Sequence, residues 1–350
     1  HIGQLAFLKG RICDIVSCLG WSIRSPIIND NASINEQLSR TSNDYWAVEM
    51  VANSLGLDDI VNGTTPHLKT YPNFSFIIPG RGIHNTINDV IESIKESIND
   101  LCNEKVRWEC IIVDDANEIP LDTVIKCNEH VRIIRTETQV YCGGARNIGI
   151  KNAKYDTIFF LDGDTLLSSN YIKEHLFRHL LSDNLITVSL REYLKDENKV
   201  IKNRIPDISK DTRVFAHYSV GRLGLIPVDE PIDVEALKET NEFRKFGLGR
   251  RLGPADLPFM VKGNNISVNN SVAKIFFPPD FVGYGPEDGM FAAKAISRGC
   301  FVIPVLSTGV FHINHPPRSG DIKTRDNELV CNLNKMQRHL HENAWTEWTY

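Results

Sequence analysis

No stretch of this 350-residue chain approaches the roughly 20 consecutive apolar residues that a membrane-spanning helix needs. No basic block exists either: 39 lysines and arginines face 44 aspartates and glutamates, for a net charge of -5, so nucleic acid is not an expected partner. A G-x-G-x-x-G fingerprint is absent, which argues against a dinucleotide-dependent enzyme. The eight cysteines include no C-x-x-C pair and no regular framework. That usage excludes a disulfide scaffold and fits buried thiols in a reducing compartment. A cytoplasmic protein is expected, with peripheral contact at the inner face of a membrane left open. The chain opens on His1 rather than methionine, so the natural amino terminus, with any targeting signal, is expected to be missing.

What is present centres on Tyr155 to Thr165, Y-D-T-I-F-F-L-D-G-D-T. Ile158 to Leu161 form a short apolar run, as a strand buried on both faces of a parallel sheet requires. The run stops at Asp162-Gly163-Asp164. In open α/β sheets ligands bind at the carboxyl ends of strands. Two carboxylates one residue apart there suit a hard divalent cation carrying phosphate oxygens. Taken alone the triplet is a weak signal, and a surface turn is the favoured reading of it. A second strand, E-C-I-I-V-D-D (Glu109 to Asp115), also ends in two acids. Burying two such pairs costs several kcal/mol per charge unless metal or polar partners compensate, and together they point to a nucleotide-plus-metal site.

The remaining pattern is that of alternating strands and helices. Leu5 to Leu19 repeats at helical spacing and reads as an amphipathic helix packed on the main domain. A second helix runs from about Asn43 to Leu55 and stops at Gly56; residues 66–72 read as a linker. Phe74 to Pro79 is a buried strand followed by the Gly80-Arg81-Gly82 loop. Ile87 to Ile98 is a helix capped by Asn85 or Thr86, and Val131 to Ile134 is a third strand. Cys142 to Ile150 turns through two glycines into a helix. Residues 191–256 lack a steady period and read as an insertion or variable lobe. In its tail, Phe246 to Gly253, an ordinary solvated loop is favoured over a lid carrying Arg250 and Arg251. Met260 to Val268 is a strand interrupted by glycine, Phe281 to Ala295 a glycine-rich turn entering a helix, and Phe301 to Leu306 a strand. Phe311 to Pro317 is a loop with two histidines, followed by a polar helix and tail. The expected fold class is α/β, a mostly parallel Rossmann-like sheet flanked by helices. The expected organisation is a helical extension (1–70), a main domain (71–320, its halves 71–190 and 257–320 separated by the 191–256 lobe) and a C-terminal helix and tail (321–350).

From Phe74 to about Pro317 the chain resembles a GT-A fold, nucleotide-sugar-dependent glycosyltransferase of the large inverting family that includes cellulose, hyaluronan and chondroitin synthases. F-S-F-I-I-P, I-I-V-D-D, G-G-A-R-N-I-G-I and F-F-L-D-G-D stand in that family's order and near its spacing. Gly263-Asn264, Y-G-P-E-D (Tyr284 to Asp288) and His312 are similar to the branch holding chondroitin polymerases and galactosyltransferases, with Tyr284 in place of tryptophan and Pro286 in place of glycine. The resemblance implies a UDP-sugar donor, a hexosyl or N-acetylhexosaminyl group moved with inversion, and a carbohydrate, glycoconjugate or natural-product acceptor. It implies that Asp115 contacts the base with Asp114 nearby, that Pro79 lines the base pocket and that Arg146 steadies this region. Asp162, with Gly163, would face the ribose or reach the metal through water. Asp164 and His312 would bind Mn²⁺ or Mg²⁺, imidazole favouring Mn²⁺. Glu287, Gly263, Asn264 and Tyr284 would hold the acceptor, and Asp288 would be the catalytic base.

Three other readings compete: a retaining GT-A transferase, a nucleotide-sugar-binding protein without turnover, and a haloacid-dehalogenase-type phosphatase. The last needs D-x-D-x-T, but Leu166 occupies the threonine position.

Overall fold

The computed structural model describes residues 31–66, 68–101, 105–194, 205–206, 256–313 and 321–348. The Leu5 to Leu19 helix, the Phe246 to Gly253 segment and most of the 191–256 lobe lie outside these residues.

Eight strands form one sheet: β1 (Phe74–Gly80), β2 (Trp108–Asp114), β3 (Val131–Arg135), β4 (Thr157–Leu161), β5 (Thr165–Leu167), β6 (Leu185–Leu194), β7 (Asn265–Asn269) and β8 (Phe301–Ile313), in the order β3-β2-β1-β4-β7-β6-β8-β5. β1 and β4 are buried at every residue, because helices cover both faces. Their alternate residues part accordingly. Ile77, Ile158 and Phe160 enter one core cluster, and Phe74, Phe76, Ile78, Phe159 and Leu161 the other.

The β3-β2-β1-β4 half is parallel throughout. Parallel neighbours need crossovers, supplied here by α3 (Ile87–Asn99) between β1 and β2 and α4 (Tyr141–Asn152) between β3 and β4. The chain leaves β1 toward β2 and β3, then returns to lay β4 on the other side of β1. The carboxyl ends of β1 and β4 therefore flank the point where strand order reverses, the place where such sheets bind ligands.

The second half is mixed, and the sheet as a whole is mostly parallel, as expected, with antiparallel pairings confined to this half. β7 pairs antiparallel with β4 and β6, and β8 pairs parallel with β6 but antiparallel with β5. Two registers matter for function. Leu161 faces Asn265, which lays Gly263-Asn264 beside Asp162-Gly163. Thr165 faces His312, which lays Asp164 beside the end of β8.

Several local expectations change. Gly143 and Gly144 sit inside α4, because Asp115 accepts hydrogen bonds from Val140 N and Tyr141 N and so starts the helix earlier. β7 begins only at Asn265. Gly263 N donates to Asp288 rather than to a strand neighbour. His312 lies in β8, not in a loop, since this strand runs on to pair with β5. Thr86 precedes α3, but its hydroxyl donates to Ile83 O and Gly163 O instead of capping. β6 extends to Leu194, past the expected start of the variable lobe. Among the described cysteines Cys110 and Cys300 are buried, whereas Cys127, Cys142 and Cys331 are exposed, against the expectation of buried thiols.

The extension before β1 is fastened to the domain. α1 (Ile34–Arg40) carries a capping box between Ser33 and Glu36, and Ile34 N donates to Glu342 O at 2.7 Å. α2 (Trp46–Ser54) is followed by Gly56 at φ 89°. α5 (Tyr171–Leu181) holds the next loop: Arg178 donates to Ile60 O and Gly63 O, and Glu174 accepts from Thr65 N. α6 (Glu287–Ser297) and α7 (Ile322–Leu340) complete the helices used below. Among the described residues no helix is long and apolar enough to cross a membrane.

Candidate active site

At the end of β2 the two acids part company. Asp114 is buried and held by protein: Arg135 Nη1 at 2.6 Å, Leu121 N at 3.0 Å, and Asn117 through both its backbone and side-chain nitrogens. Burial works against its charge, but these hydrogen bonds outweigh burial and hold the carboxyl below its usual range. Asp114 thus organises the loop after β2 from inside. Asp115 ties that loop to α4, accepting from Val140 N at 2.6 Å and Tyr141 N at 3.1 Å. Burial is its largest influence and raises its pKa. Two residues around it have left-handed backbone without being glycine, Ala116 at φ 50° and Tyr141 at φ 60°. Pro79 is buried in β1, in register with Val113.

Arg146 comes from α4, and the structure places it at the centre of the site rather than beside the base pocket alone. Its guanidinium is almost fully buried, lies 5.2 Å from the centre of the Phe277 ring, and bridges two acids. Nη1 donates to Glu287 Oε1 at 2.8 Å and Nη2 to Asp162 Oδ1 at 3.1 Å. Burial opposes its charge, but Asp162 and Glu287 more than offset this and hold its pKa above the ordinary range. Gly263 is required here by close approach: a Cβ would stand 2.7 Å from Arg146 Cζ.

Glu287 and Asp288 open α6, where acids favour the positive end of the helix dipole. Asp288 accepts from Gly263 N at 3.0 Å and Gly289 N at 2.7 Å, so both oxygens are oriented by main chain. Glu287 behaves differently. Burial first, and the neighbouring Asp288 second, push its carboxyl up to about 7 despite the Arg146 contact. Asn264 is 5% exposed, and its Oδ1 has no hydrogen-bond partner among the described residues. Tyr284 is half exposed, with Arg325 5.4 Å from its ring centre.

Asp164 and His312 meet as the β5–β8 register dictates, with His312 Nε2 3.4 Å from Asp164 Oδ1. Ile313 N also donates to Asp164 O at 2.8 Å. An imidazole nitrogen and a carboxylate oxygen are a donor pair suited to a divalent cation. Asp162 does not join them: Arg146 draws it aside, and among the described residues no three His, Cys, Asp or Glu side chains converge as a metal-binding group. Among the described residues a cation here would have two side-chain ligands, leaving room in its shell for phosphate oxygens, as Mg²⁺-type sites on phosphates do.

The structure therefore brings together Arg146, Asp162, Gly263, Glu287 and Asp288 in one contiguous group and Asp164 with His312 in another. Sequence reading missed the surroundings of Tyr284: its turn is held by Glu328 and Asn332 of α7. Gly283 and Gly285 were the only available signal, and they indicate a close approach without naming the partner.

Residues 75–237 match the family model described as glycosyl transferase family 2. The chain is 22% identical over 304 residues to a chondroitin synthase of Escherichia coli, covering 81% of this chain and 40% of that protein. A hyaluronan synthase of Pasteurella multocida is 24% identical over 231 residues, covering 63% of this chain and 23% of that protein. The chain thus spans less than half the length of these relatives. Among solved structures, S. aureus TarS 1-349 in complex with UDP is similar at 14% identity and a TM-score of 0.46, covering 77% of this chain and 64% of that one.

Proposed function

We propose that this chain, whose residues 75–237 match the glycosyl transferase family 2 model, is a GT-A transferase that moves a sugar from a UDP-sugar to an acceptor hydroxyl, with inversion and with a divalent cation. The observation that carries the reading is the Arg146 bridge. It joins Asp162, at the end of the donor-side strand β4, to Glu287, beside the candidate base, by two hydrogen bonds of 3.1 and 2.8 Å.

The donor lies across the carboxyl ends of β1, β2 and β4. Asp115 accepts from the N–H edge of uracil, Pro79 lines the base pocket, and Asp162 with Gly163 faces the ribose. The uridine nucleotide follows from the likeness of the V-D-D strand to this family's. Asp164 and His312 would hold Mn²⁺ or Mg²⁺, which would supply charge neutralisation at the diphosphate. Glu287, Gly263, Asn264 and Tyr284 form the acceptor side. Asp288 removes the proton from the acceptor hydroxyl as that oxygen attacks the anomeric carbon from the face opposite the diphosphate. The main-chain N–H groups of Gly263 and Gly289 hold its carboxylate ready for this step. Support for Asp288 over Glu287 comes from their surroundings, since Glu287 is engaged by Arg146.

Asp288→Asn keeps the side chain's shape but cannot take the proton. Turnover is expected to fall roughly 10²- to 10⁴-fold, the range of a lost general base, with donor affinity nearly unchanged in calorimetry. Product NMR is expected to show a β-linkage from an α-linked UDP-sugar. An α-linked product, or near-normal turnover in Asp288→Asn, overturns the inverting mechanism. A thermal-shift panel of UDP-, GDP- and dTDP-sugars tests the base, because a bound donor raises stability by mass action. A clear preference for GDP or dTDP rejects uridine.

A further inference from the structure

We infer that α7, through Glu328 and Asn332, is a positioning element that holds the turn carrying Glu287 and Asp288 in its reactive geometry; the inference rests on the role proposed for Asp288.

The contact is between side chains of α7 and main chain of the turn. Asn332 is fully buried. Its Nδ2 donates to Val282 O at 2.8 Å and Tyr284 O at 3.1 Å, and its Oδ1 accepts from Val282 N at 3.3 Å. Four residues earlier, Glu328 Oε2 accepts from Tyr284 N at 2.9 Å. All four main-chain polar groups of Val282 and Tyr284 are thus satisfied by two side chains on one face of one helix. Both glycines of the turn exist for this approach. A Cβ on Gly283, at φ 71°, would stand 2.2 Å from Glu328 Cδ, and one on Gly285 would stand 2.3 Å from Asn332 Nδ2. The same helix face continues the grip: Lys335 Nζ donates to Asp280 O, and His339 Nε2 lies 2.8 Å from Asp280 Oδ1.

A loop with φ above zero and two glycines has no stiffness of its own. Pro286 follows it directly, and Glu287 and Asp288 come next. Release of the turn therefore moves the first turn of α6 against Gly263 and Arg146. The pattern also explains the polar residues on this face of α7, which meet backbone, while Met336 and Leu340 beside them join the apolar core.

The test compares Glu328→Ala, Glu328→Gln and Asn332→Leu in the full chain, measuring UDP-sugar affinity by calorimetry and kcat and acceptor KM by initial rates. Glu328 is only partly buried, so its variants keep the question open if Asn332→Leu fails to fold. The expected result is a kcat lowered toward the about 10²-fold scale of a 1 Å misplacement, at unchanged donor affinity. Glu328→Gln is expected to restore the rate, because its amide oxygen can still accept from Tyr284 N. Folded variants with normal kcat, or a rate loss that tracks lost donor affinity, show that α7 only stabilises the fold. If Asp288→Asn keeps its turnover, the base assignment fails on that result alone, and the α7 variants still decide whether the turn is positioned for the reaction.

Discussion

At the scale of single residues, charge and strain concentrate around Arg146 and Asp115. Arg146 reaches two acids through separate nitrogens with its guanidinium over the Phe277 ring, a task for a planar fork and not for a lysine. Removing one partner of a buried ion pair costs roughly 3–5 kcal/mol. Arg146→Met is expected at the low end of that range, because Asp162 is 26% exposed and can be solvated; urea unfolding measures it. Glu287 makes the stability depend on pH in a defined direction. Its folded pKa is raised from 4.5 to about 7, so the folded state holds the proton more tightly than the unfolded chain does. The stabilisation from Glu287 is therefore complete below about pH 4.5 and is lost as pH rises through about 7. Denaturant titrations across that window are expected to show a slope that Glu287→Gln reduces. Ala116, at φ 50°, adds strain that glycine would relieve. Ala116→Gly is expected to raise the unfolding free energy by up to about 1 kcal/mol, read as a higher Tm.

At the scale of elements, α5 shows why part of the fold escapes a pattern search. Glu174, His175, Arg178 and His179 are all buried, so its hydrophobic period is broken by charge-bearing residues on the inward face. Apart from the Arg178–Glu174 pair, their side-chain partners lie outside α5. Arg178 Nη1 meets Glu174 Oε2 at 3.0 Å, and Glu174 also accepts from Thr65 and from Ser307 Oγ. His175 and His179 share hydrogen bonds with Thr187 and Ser267 on β6 and β7. Arg178 and Glu174 fasten residues 57–65 to α5, beside an apolar cluster in which Leu57, Ile60 and Val61 meet Phe177, Leu181, Leu185 and Ile303. Arg178→Met would leave Glu174 buried without its cation, and is expected to destabilise the fold by roughly 3–5 kcal/mol in urea unfolding.

At the scale of the molecule, one sheet assembles the site from segments more than a hundred residues apart. The β4–β7 register lays Gly263-Asn264 beside Asp162-Gly163, and the β5–β8 register brings His312 to Asp164. The second pairing sets the metal prediction. Chelation of the wild type is expected to abolish both turnover and UDP-sugar-induced thermal stabilisation, with Mn²⁺ restoring both. Asp164→Ala is expected to show no Mn²⁺ response. Full activity under thorough chelation removes the cation from the reaction.

The acids at the strand ends, the βαβ order and the glycine-marked turn before Glu287-Asp288 were legible in the chain itself. Each is a local matter: a buried apolar run, the carboxylates that end it, and the helix or turn that follows. Asp114 and Asp115 look equivalent in that record. Only the fold separates them, turning one inward onto Arg135, Asn117 and Leu121 and leaving the other at the start of α4. Arg146 as a bridge, His312 as part of a strand and Asn332 as the clamp on a distant turn were equally tertiary decisions. A buried polar side chain shows its chemistry in the sequence but not its partner. That partner is chosen by strand register and helix packing, which bring together residues the chain keeps apart.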